Sequence, residues 1–359
     1  MRLLEARFKT ISPIVCLFTS ITSSLVVLKM TKINVALYGV GEIGSLIAKA
    51  AYMRGLNIVG AIDIDPKKIG KDLGEIIGLK EKIGATITNN VDNLKNVDIM
   101  LHATGTYLDK IYNQLETCIK LNCDIISTCE TLAYPYYRYP ELAKRIDQLA
   151  KEHNVTVIGT GVNPGFILDT LVAVLTSPSW NVEHIRAVRS LNAAYRRSNF
   201  QKKIGVGMTP EEAKKKLSLG EITGHVGYAE SVLLISKFLN LEVNRVEEKQ
   251  IPIVARKNIK IGNVNIEKGY VLGLRGYGIG YQNDKEIIRV ELKAYVGAKD
   301  YEEITIKGTP EIKWRSNGTQ GDIATVGMIV NMIPRVLDAK PGLLTMADLE
   351  IPRYFSKLQ

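Results

Sequence analysis

The chain has 359 residues, a formal net charge of +10, 46% hydrophobic and 23% charged residues. This composition is ordinary for a soluble globular protein of one large or two ordinary domains. The lysines are spread among Glu and Asp, with no basic block interleaved with aromatics, so the charge excludes a nucleic-acid partner and favours anionic ligands. Cys16, Cys118, Cys123 and Cys129 show neither metal-ligand spacing nor a paired framework, which predicts no metal site and reduced thiols in a cytoplasmic protein.

Residues 1–29 contain early basic residues and an apolar run over residues 11–28. A signal peptide has this outline, but hydroxyl side chains and Pro13 interrupt the run, and no Ala-x-Ala cleavage site is present. Met30 stands directly before the first predicted strand, where a cytoplasmic protein would start. We therefore predict an extension or an upstream start-site artefact here. A transmembrane anchor is the less favoured alternative, and we predict no membrane partner.

Residues 31–63 read as a strand, a glycine turn, a helix and a second strand that ends at an acid. This order, within about 30 residues, is the dinucleotide-binding fingerprint of a Rossmann domain. The glycines allow the tight turn, the approach of a pyrophosphate and close packing of the helix, whose N-terminus would face the phosphates. Asp63 follows Gly44 by 19 residues and would accept from the adenosine ribose hydroxyls. The predicted residues for NAD or NADP are Gly39, Val40, Gly41, Glu42, Ile43, Gly44 and Asp63.

Strands alternate with helices after this motif, which predicts a doubly wound parallel sheet. Predicted strands cover residues 98–104, 122–127 and 155–158, and such sheets bind ligands at the carboxyl ends of their strands. The first of these strands ends at Thr104, Gly105 and Thr106, which we predict to line the cofactor crevice. His102 lies inside that strand and is predicted to be a satisfied core histidine. Lys67 and Lys68, after the second strand, could meet the 2′-phosphate of NADP or be two solvated lysines.

Two adjacent residues after the strand over 122–127 offer different chemistry. Glu130 is predicted to be the catalytic residue, because partial burial beside the nicotinamide would make its carboxylate a usable base. A surface Glu that caps the next helix is the alternative. Cys129 invites comparison with thiol nucleophiles, but no His is near in sequence, so an inert buried cysteine is the favoured reading.

The loop after the strand over 155–158 reads Gly-Thr-Gly-Val-Asn-Pro-Gly-Phe. We predict that Asn163 bonds the nicotinamide carboxamide and that Pro164 helps to bring the backbone close to the ring. Gly165 then opens a helix over residues 166–175, which leads into the second half of the chain.

The second half predicts an α+β domain, an open mixed sheet covered by helices. Residues 288–296 alternate apolar and polar side chains, as in a half-buried strand, and residues 183–194, 271–281 and 303–307 are further predicted strands. Helices are predicted over 223–239 and 322–337, the last returning toward the cofactor domain. Arg196, Arg197 and Lys203 form a cationic cluster that could hold a substrate carboxylate or be a solvated loop. His225, between two glycines, could bond substrate or order a loop.

Several of these runs resemble 2,4-diaminopentanoate dehydrogenases and the native NAD(P)-dependent amine dehydrogenases, in the wider dihydrodipicolinate reductase-like group. The resemblance rests on residues 127–130, 159–166, 189, 196–203, 205–207, 224–227, 321–325 and 341–346, and it covers residues 30 to roughly 352. It implies that Glu130 acts in the active site, that the substrate is a 2,4-diamino acid deaminated at its 4-amino group, and that the protein is a homodimer. The chain has no His-His pair, which counts against the lysine-biosynthesis reductase itself.

The predicted function is therefore reversible, NAD(P)-dependent oxidative deamination of an amine or diamino acid to a ketone plus ammonia. The alternatives are a cyclic-imine reductase, oxidation of a semialdehyde, and a non-catalytic NAD(P)-binding subunit. The predicted domains are a Rossmann domain at residues 30–162, a substrate and oligomerisation domain at 163–320, and a C-terminal helix at 321–359.

Overall fold

The computed structural model describes residues 32–356 of the chain. Numbered in chain order, its strands are β1 (Asn34–Tyr38), β2 (Asn57–Ile62), β3 (Ile87–Thr88), β4 (Ile99–His102), β5 (Asp124–Ser127), β6 (Thr156–Gly159), β7 (Asn181–Asn192), β8 (Arg245–Val254), β9 (Ile259–Ile261), β10 (Val264–Ile266), β11 (Val271–Gln282), β12 (Lys285–Tyr295), β13 (Tyr301–Thr309), β14 (Ile312–Ser316) and β15 (Gly342–Leu344). Its α-helices are α1 (Glu42–Met53), α2 (Leu73–Ile76), α3 (Leu108–Lys120), α4 (Pro135–Arg138), α5 (Pro140–Glu152), α6 (Thr170–Leu175), α7 (Ser198–Lys203), α8 (Pro210–Leu219), α9 (Tyr228–Leu239) and α10 (Gly321–Leu337).

The first sheet has seven parallel strands in the order β15-β6-β5-β4-β1-β2-β3. Its central strands are short apolar runs with both faces buried; β4 and β6 are buried along their whole length. Helices α1 and α10 cover one face, and α3 and α5 cover the other. This confirms the predicted doubly wound Rossmann sheet. The chain changes direction across the sheet between β1 and β4, so a ligand crevice opens beside the carboxyl ends of these strands.

The end of the described chain also belongs to the first sheet. Val326, Ile329 and Ile333 of α10 lie in one apolar cluster with Ala48 and Ala51 of α1. Strand β15 then pairs in parallel with β6 at the edge of the sheet. The two large sheets fit a division of the chain into two domains. The residues at which one domain ends and the next begins stay a prediction.

The second sheet has six strands in the order β14-β13-β7-β12-β11-β8. Strands β7 and β12 are parallel and the other neighbours are antiparallel, which confirms the predicted mixed sheet. Along β12, Ile288, Val290, Leu292 and Ala294 are buried, as the alternation predicts. They pack with Val232 and Ile235 of α9, so a helix covers this face.

Two helices begin later than the sequence predicts, and local chemistry explains both. Helix α6 begins at Thr170, because the Asp169 carboxylate caps it and accepts hydrogen bonds from the Thr170 and Gly165 amides. Helix α9 begins at Tyr228, because Gly224 and Gly227 have φ angles of +60° and +115°.

The interpretation of residues 1–29 lies outside the described residues. Between residues 32 and 356, no helix combines the length and the apolar character needed to cross a bilayer.

Candidate active site

Loops at the carboxyl ends of β4, β5 and β6 line a cavity of about 330 Å³. The facing walls come from β7, α7, the loop before α9 and the start of α10. The predicted site residues that line this cavity are Ile43, Thr104, Gly105, Thr106, Glu130, Asn163, Pro164, Arg196, Arg197 and His225. The predicted residues of the glycine turn border a neighbouring cavity of about 610 Å³ through Val40, Gly41, Glu42 and Ile43. Sequence-distant residues therefore converge where the doubly wound fold places a ligand.

The glycine turn is shaped by close backbone approaches. Gly39 has a φ angle of +92°, and a Cβ there would lie 2.6 Å from the Ala103 carbonyl oxygen. A Cβ on Gly44 would lie 1.8 Å from the Gly39 carbonyl oxygen, so helix α1 can only pack this closely with glycine. A Cβ on Gly41, by contrast, would meet no atom within 4 Å. The space in front of Gly41 and the N-terminus of α1 is thus open, and it fits the pyrophosphate of a dinucleotide.

Asp63 lies at the end of β2, beside this turn. One carboxylate oxygen accepts from the Val40 amide at 2.8 Å and from Lys68 Nζ at 3.1 Å, and the other accepts from the Asp65 amide at 2.8 Å. Burial alone would raise the pKa of Asp63, but these hydrogen bonds outweigh it and hold the pKa below its ordinary value. Lys68 is therefore an ion-pair partner of Asp63, whereas Lys67 is exposed.

His102 is a core residue, as predicted. Its ring nitrogens lie 2.9 Å from Ser127 Oγ and from Gln114 Oε1, and burial lowers its pKa to about 4. Thr104 Oγ1 donates to the same Gln114 oxygen at 2.6 Å. The loop of Thr104, Gly105 and Thr106 is thereby anchored through Gln114 of α3 to His102 of β4, while it forms one wall of the cavity.

Glu130 begins a short 3-10 turn, Glu130–Ala133, directly after β5. Its side chain is partly buried in the cavity wall, and Oε1 lies 3.2 Å from Lys203 Nζ at the end of α7. Cys129 has the opposite surroundings: it is 1% exposed, and burial raises the pKa of its thiol to about 12. The structure therefore supports the inert reading of Cys129, because a protonated, buried thiol is a poor nucleophile.

Asn163 and His225 form a linked pair on the other side of the cavity. Asn163 Nδ2 donates to His225 Nε2 at 2.8 Å. Burial, with Lys203 and Arg189 nearby, lowers the pKa of His225 to about 3, so the ring is neutral and can accept this hydrogen bond. Asn163 Oδ1 is buried and has no hydrogen-bond partner among residues 32–356. An unpaired buried carbonyl oxygen is costly, and the carboxamide of a nicotinamide ring is a suitable donor for it.

The cationic cluster is paired with carboxylates. Arg196 Nη2 lies 3.1 Å from Asp322 Oδ1, and Arg197 Nη1 lies 2.7 Å from Glu42 Oε2. Arg189, which is 3% exposed, pairs with Glu302 at 3.3 Å, and burial lowers its pKa to about 10. The cluster is thus a partly buried wall of the cavity, and the alternative of a freely solvated loop does not describe it.

Arg189, Asp322 and Thr325 line the cavity but were not predicted as site residues. They come from β7 and from the start of α10, and only the tertiary fold brings these elements to the strand ends. A signal was nevertheless present, since Arg189 and the run over residues 321–325 are among the stretches on which the family resemblance rests.

Comparisons with known proteins find matches to both halves of the chain. Residues 166–358 match the model of the 2,4-diaminopentanoate dehydrogenase C-terminal domain, and residues 33–131 match that of the dihydrodipicolinate reductase N-terminus. A 2,4-diaminopentanoate dehydrogenase from Acetoanaerobium sticklandii is 31% identical over 338 residues, which cover 90% of this chain and 95% of that protein. The chain belongs to the 2,4-diaminopentanoate dehydrogenase family. The resemblance stated from the sequence is thereby confirmed.

Solved structures show that this member of the 2,4-diaminopentanoate dehydrogenase family shares its fold with more distant enzymes. An amine dehydrogenase from Mycobacterium smegmatis superposes with a TM-score of 0.82 at 24% identity, over 92% of this chain and 99% of that one. GenD2 from gentamicin A biosynthesis, solved in complex with NAD, gives a TM-score of 0.52 at 13% identity, over 88% of this chain and 90% of that one. Both likenesses extend across the two sheets.

Proposed function

We propose that the protein catalyses the NAD(P)-dependent oxidative deamination of an amine or diamino acid of the 2,4-diaminopentanoate type, and the reverse reductive amination. Family membership supports the reaction class, an oxidoreductase acting on CH–NH2 groups. The observation that carries the proposal is the position of Glu130, a partly buried carboxylate in the same cavity as the Asn163 loop.

The residues fit NAD or NADP in three places. The open face of Gly41 and the N-terminus of α1 would receive the pyrophosphate. Asp63 would accept from a ribose hydroxyl through Oδ1, which accepts one hydrogen bond, from the Asp65 amide, among residues 32–356. Asn163 Oδ1 would accept from the nicotinamide carboxamide, which would satisfy its buried oxygen.

In the proposed reaction, the bound cofactor supplies a nicotinamide ring that accepts a hydride from the α-carbon of the amine substrate. The Glu130 carboxylate stabilises the positive charge of the iminium left on the substrate and takes a proton from the attacking water. Ammonia then leaves and a ketone remains. The balance is one amine, one water and one oxidised cofactor giving one ketone, one ammonium ion and one reduced cofactor.

The positively charged side chains that line the cavity favour a substrate that carries a carboxylate. Arg196, held by Asp322 at 3.1 Å, presents a guanidinium to the cavity, and buried Arg189 adds a second positive charge beside it. Arginine binds a carboxylate with two parallel hydrogen bonds, so it selects an acid over a simple amine. His225, neutral and bonded to Asn163, would hold the Asn163 loop against the substrate.

A test of this proposal measures the oxidation of NADH and NADPH with ketones and oxo acids, with and without ammonium chloride. We expect oxidation only with ammonium present, and fastest with a 2-amino-4-oxo acid. Reduction of cyclic imines without ammonium would favour the reductase alternative. Binding of NADH with no turnover on any ketone would favour a non-catalytic subunit, in which Glu130 would have no proton to transfer.

We also propose a cytoplasmic homodimer that associates through the second sheet. The described cysteines, Cys118, Cys123 and Cys129, are free buried thiols, which suits a reducing compartment. The face of the second sheet away from α9 carries ion pairs such as Arg186–Glu291 at 2.9 Å and Arg315–Glu303 at 2.6 Å. Mixed charges on one face suit a self-complementary interface. Light scattering should give twice the mass of one chain; a single-chain mass would contradict the dimer.

A further inference from the structure

Arg197 lies between the two cavities of the site. It lines both the cavity that contains Glu130 and the cavity in front of the glycine turn. Its Nη1 donates to Glu42 Oε2 at 2.7 Å, its Nε lies 3.5 Å from Asp322 Oδ2, and Asn199 Nδ2 donates to the same Glu42 oxygen at 3.2 Å. A segment of the substrate half of the chain thus reaches the phosphate-binding turn.

Glu42 borders the space where an anionic ligand is expected. It is the first residue of α1, directly after Gly41, whose outer face is open. The hydrogen bond from Arg197 lowers the pKa of Glu42, so the carboxylate is charged and would repel a pyrophosphate on this helix N-terminus. A guanidinium already lies at this position, and it can bind two phosphate oxygens in bidentate fashion, as it can bind a carboxylate.

We propose that Arg197 leaves Glu42 and binds a phosphate of NAD(P), so that it is a cofactor-binding residue and not the substrate-binding residue that the sequence predicts. The inference rests on the proposed function only in requiring that the protein binds a dinucleotide. The exchange requires no change in the position of α7, because Arg197 already borders the cofactor cavity.

The two halves of the Arg197–Glu42 pair then have opposite effects on cofactor binding. Replacing Arg197 removes a charged contact with the phosphate, so NADH binding weakens. Replacing Glu42 removes both the repulsion of the phosphate and the competitor for Arg197, so NADH binding tightens. A purely structural ion pair would instead give two variants that change in the same direction, because either substitution breaks it.

The test titrates the full-length protein with NADH and follows cofactor fluorescence, using R197M, E42Q and R335M. We expect the Kd for NADH to rise roughly tenfold or more in R197M and to fall severalfold in E42Q. R335M is the matched control: Arg335 pairs with Glu350 at 2.8 Å and borders neither cavity of the site, so its Kd for NADH should stay within twofold of wild type. Thermal melts of each variant check that it is folded.

An unchanged Kd in R197M, or a rise in both R197M and E42Q, would overturn the inference. Wild-type turnover that depends on ammonia would at the same time leave the proposed function intact. Tight NADH binding with the expected opposite shifts, but no turnover on any ketone, would support the inference and contradict the proposed function. A wild-type protein that does not bind NADH would overturn both.

Discussion

Glu130 and Cys129 are neighbours in the chain, but their side chains have opposite surroundings. Glu130 faces the cavity and lies 3.2 Å from the side-chain ammonium group of Lys203. The Cys129 thiol is enclosed and donates to the Thr106 carbonyl oxygen at 3.2 Å. Both follow one strand, so the difference comes from the 3-10 turn that starts at Glu130. A carboxylate is also the better group beside an iminium, because it stabilises positive charge.

Replacing Glu130 tests its role directly. In E130Q we expect kcat for ammonia-dependent NADH oxidation to fall about 10²- to 10⁴-fold, because the amide can neither accept the proton of water nor stabilise the iminium as an anion does. The Kd for NADH should stay unchanged. C129A is the matched control at the adjacent position, and its turnover should stay within a few-fold of wild type, since a thiol with a pKa of about 12 is protonated at neutral pH. Equal losses in the two variants would remove Glu130 from the mechanism.

At the scale of elements, two glycines of the turn between β1 and α1 have different surroundings, one tightly packed and one open. Gly44 is required by the fold, because a Cβ there would lie 1.8 Å from the Gly39 carbonyl oxygen. Gly41 has an extended backbone with φ −79°, which any residue adopts, and space around it. Under the proposed function, this glycine leaves room for a ligand that approaches the backbone, so the two positions should respond differently to the same substitution.

We expect G44A to lose stability by at least about 2 kcal/mol, because the strand-to-helix packing must shift to admit the methyl group. G41A should unfold within about 0.5 kcal/mol of wild type but bind NADH at least roughly tenfold more weakly, since its methyl group occupies the pyrophosphate space. Urea unfolding and NADH titration measure the two effects. Unchanged NADH binding in G41A would mean that the open space in front of this turn does not receive the phosphates.

Much of this element order could be predicted from the sequence. The strand, glycine turn, helix and acid of residues 34–63 form a local pattern, and the rule that ligands bind at the carboxyl ends of parallel strands directed attention to Glu130 and Asn163. The ion-pair partners of Lys203, Arg189 and Asp322 could not be predicted from local sequence patterns, because each pair forms between segments that are distant in the sequence. The starts of α6 and α9 were missed for a related reason, since both depend on a cap or glycine conformation fixed by neighbours.

At the scale of the whole molecule, ion pairs connect the elements around the first sheet with those of the second sheet. Arg138, at the end of α4, pairs with Glu230 of α9 at 2.6 Å and with Glu248 of β8. Glu230 is fully buried, so loss of Arg138 would leave an unpaired interior carboxylate. Lys237 and Asp348, 2.6 Å apart, add a second contact near the end of the described chain.

Two buried histidines make the stability of the whole molecule depend on pH. His102 and His225 have pKa values of about 4 and about 3 in the folded state, against an ordinary value of 6.5. At pH values between the ordinary pKa and the lower folded-state pKa, the unfolded chain binds protons that the folded chain does not bind. The free energy of unfolding therefore falls as pH decreases from about 6.5. Asp124 opposes this trend, because burial raises its pKa to about 6 and the folded state then takes up a proton on acidification.

His102 can be separated from these other groups by a variant. Between pH 7 and pH 5, each histidine should remove roughly 2 kcal/mol from the free energy of unfolding. Over the roughly 1.5 pH units below the ordinary pKa, the unfolded chain binds a proton on the ring that the folded chain does not bind. H102Q loses one of these contributions, so its free energy of unfolding should fall by about 2 kcal/mol less than that of wild type over the same interval. Urea unfolding at the two pH values measures both differences, and any constant cost of losing the bonds to Ser127 and Gln114 cancels. Identical decreases in the two proteins would show that His102 is protonated in the folded state, contrary to its burial.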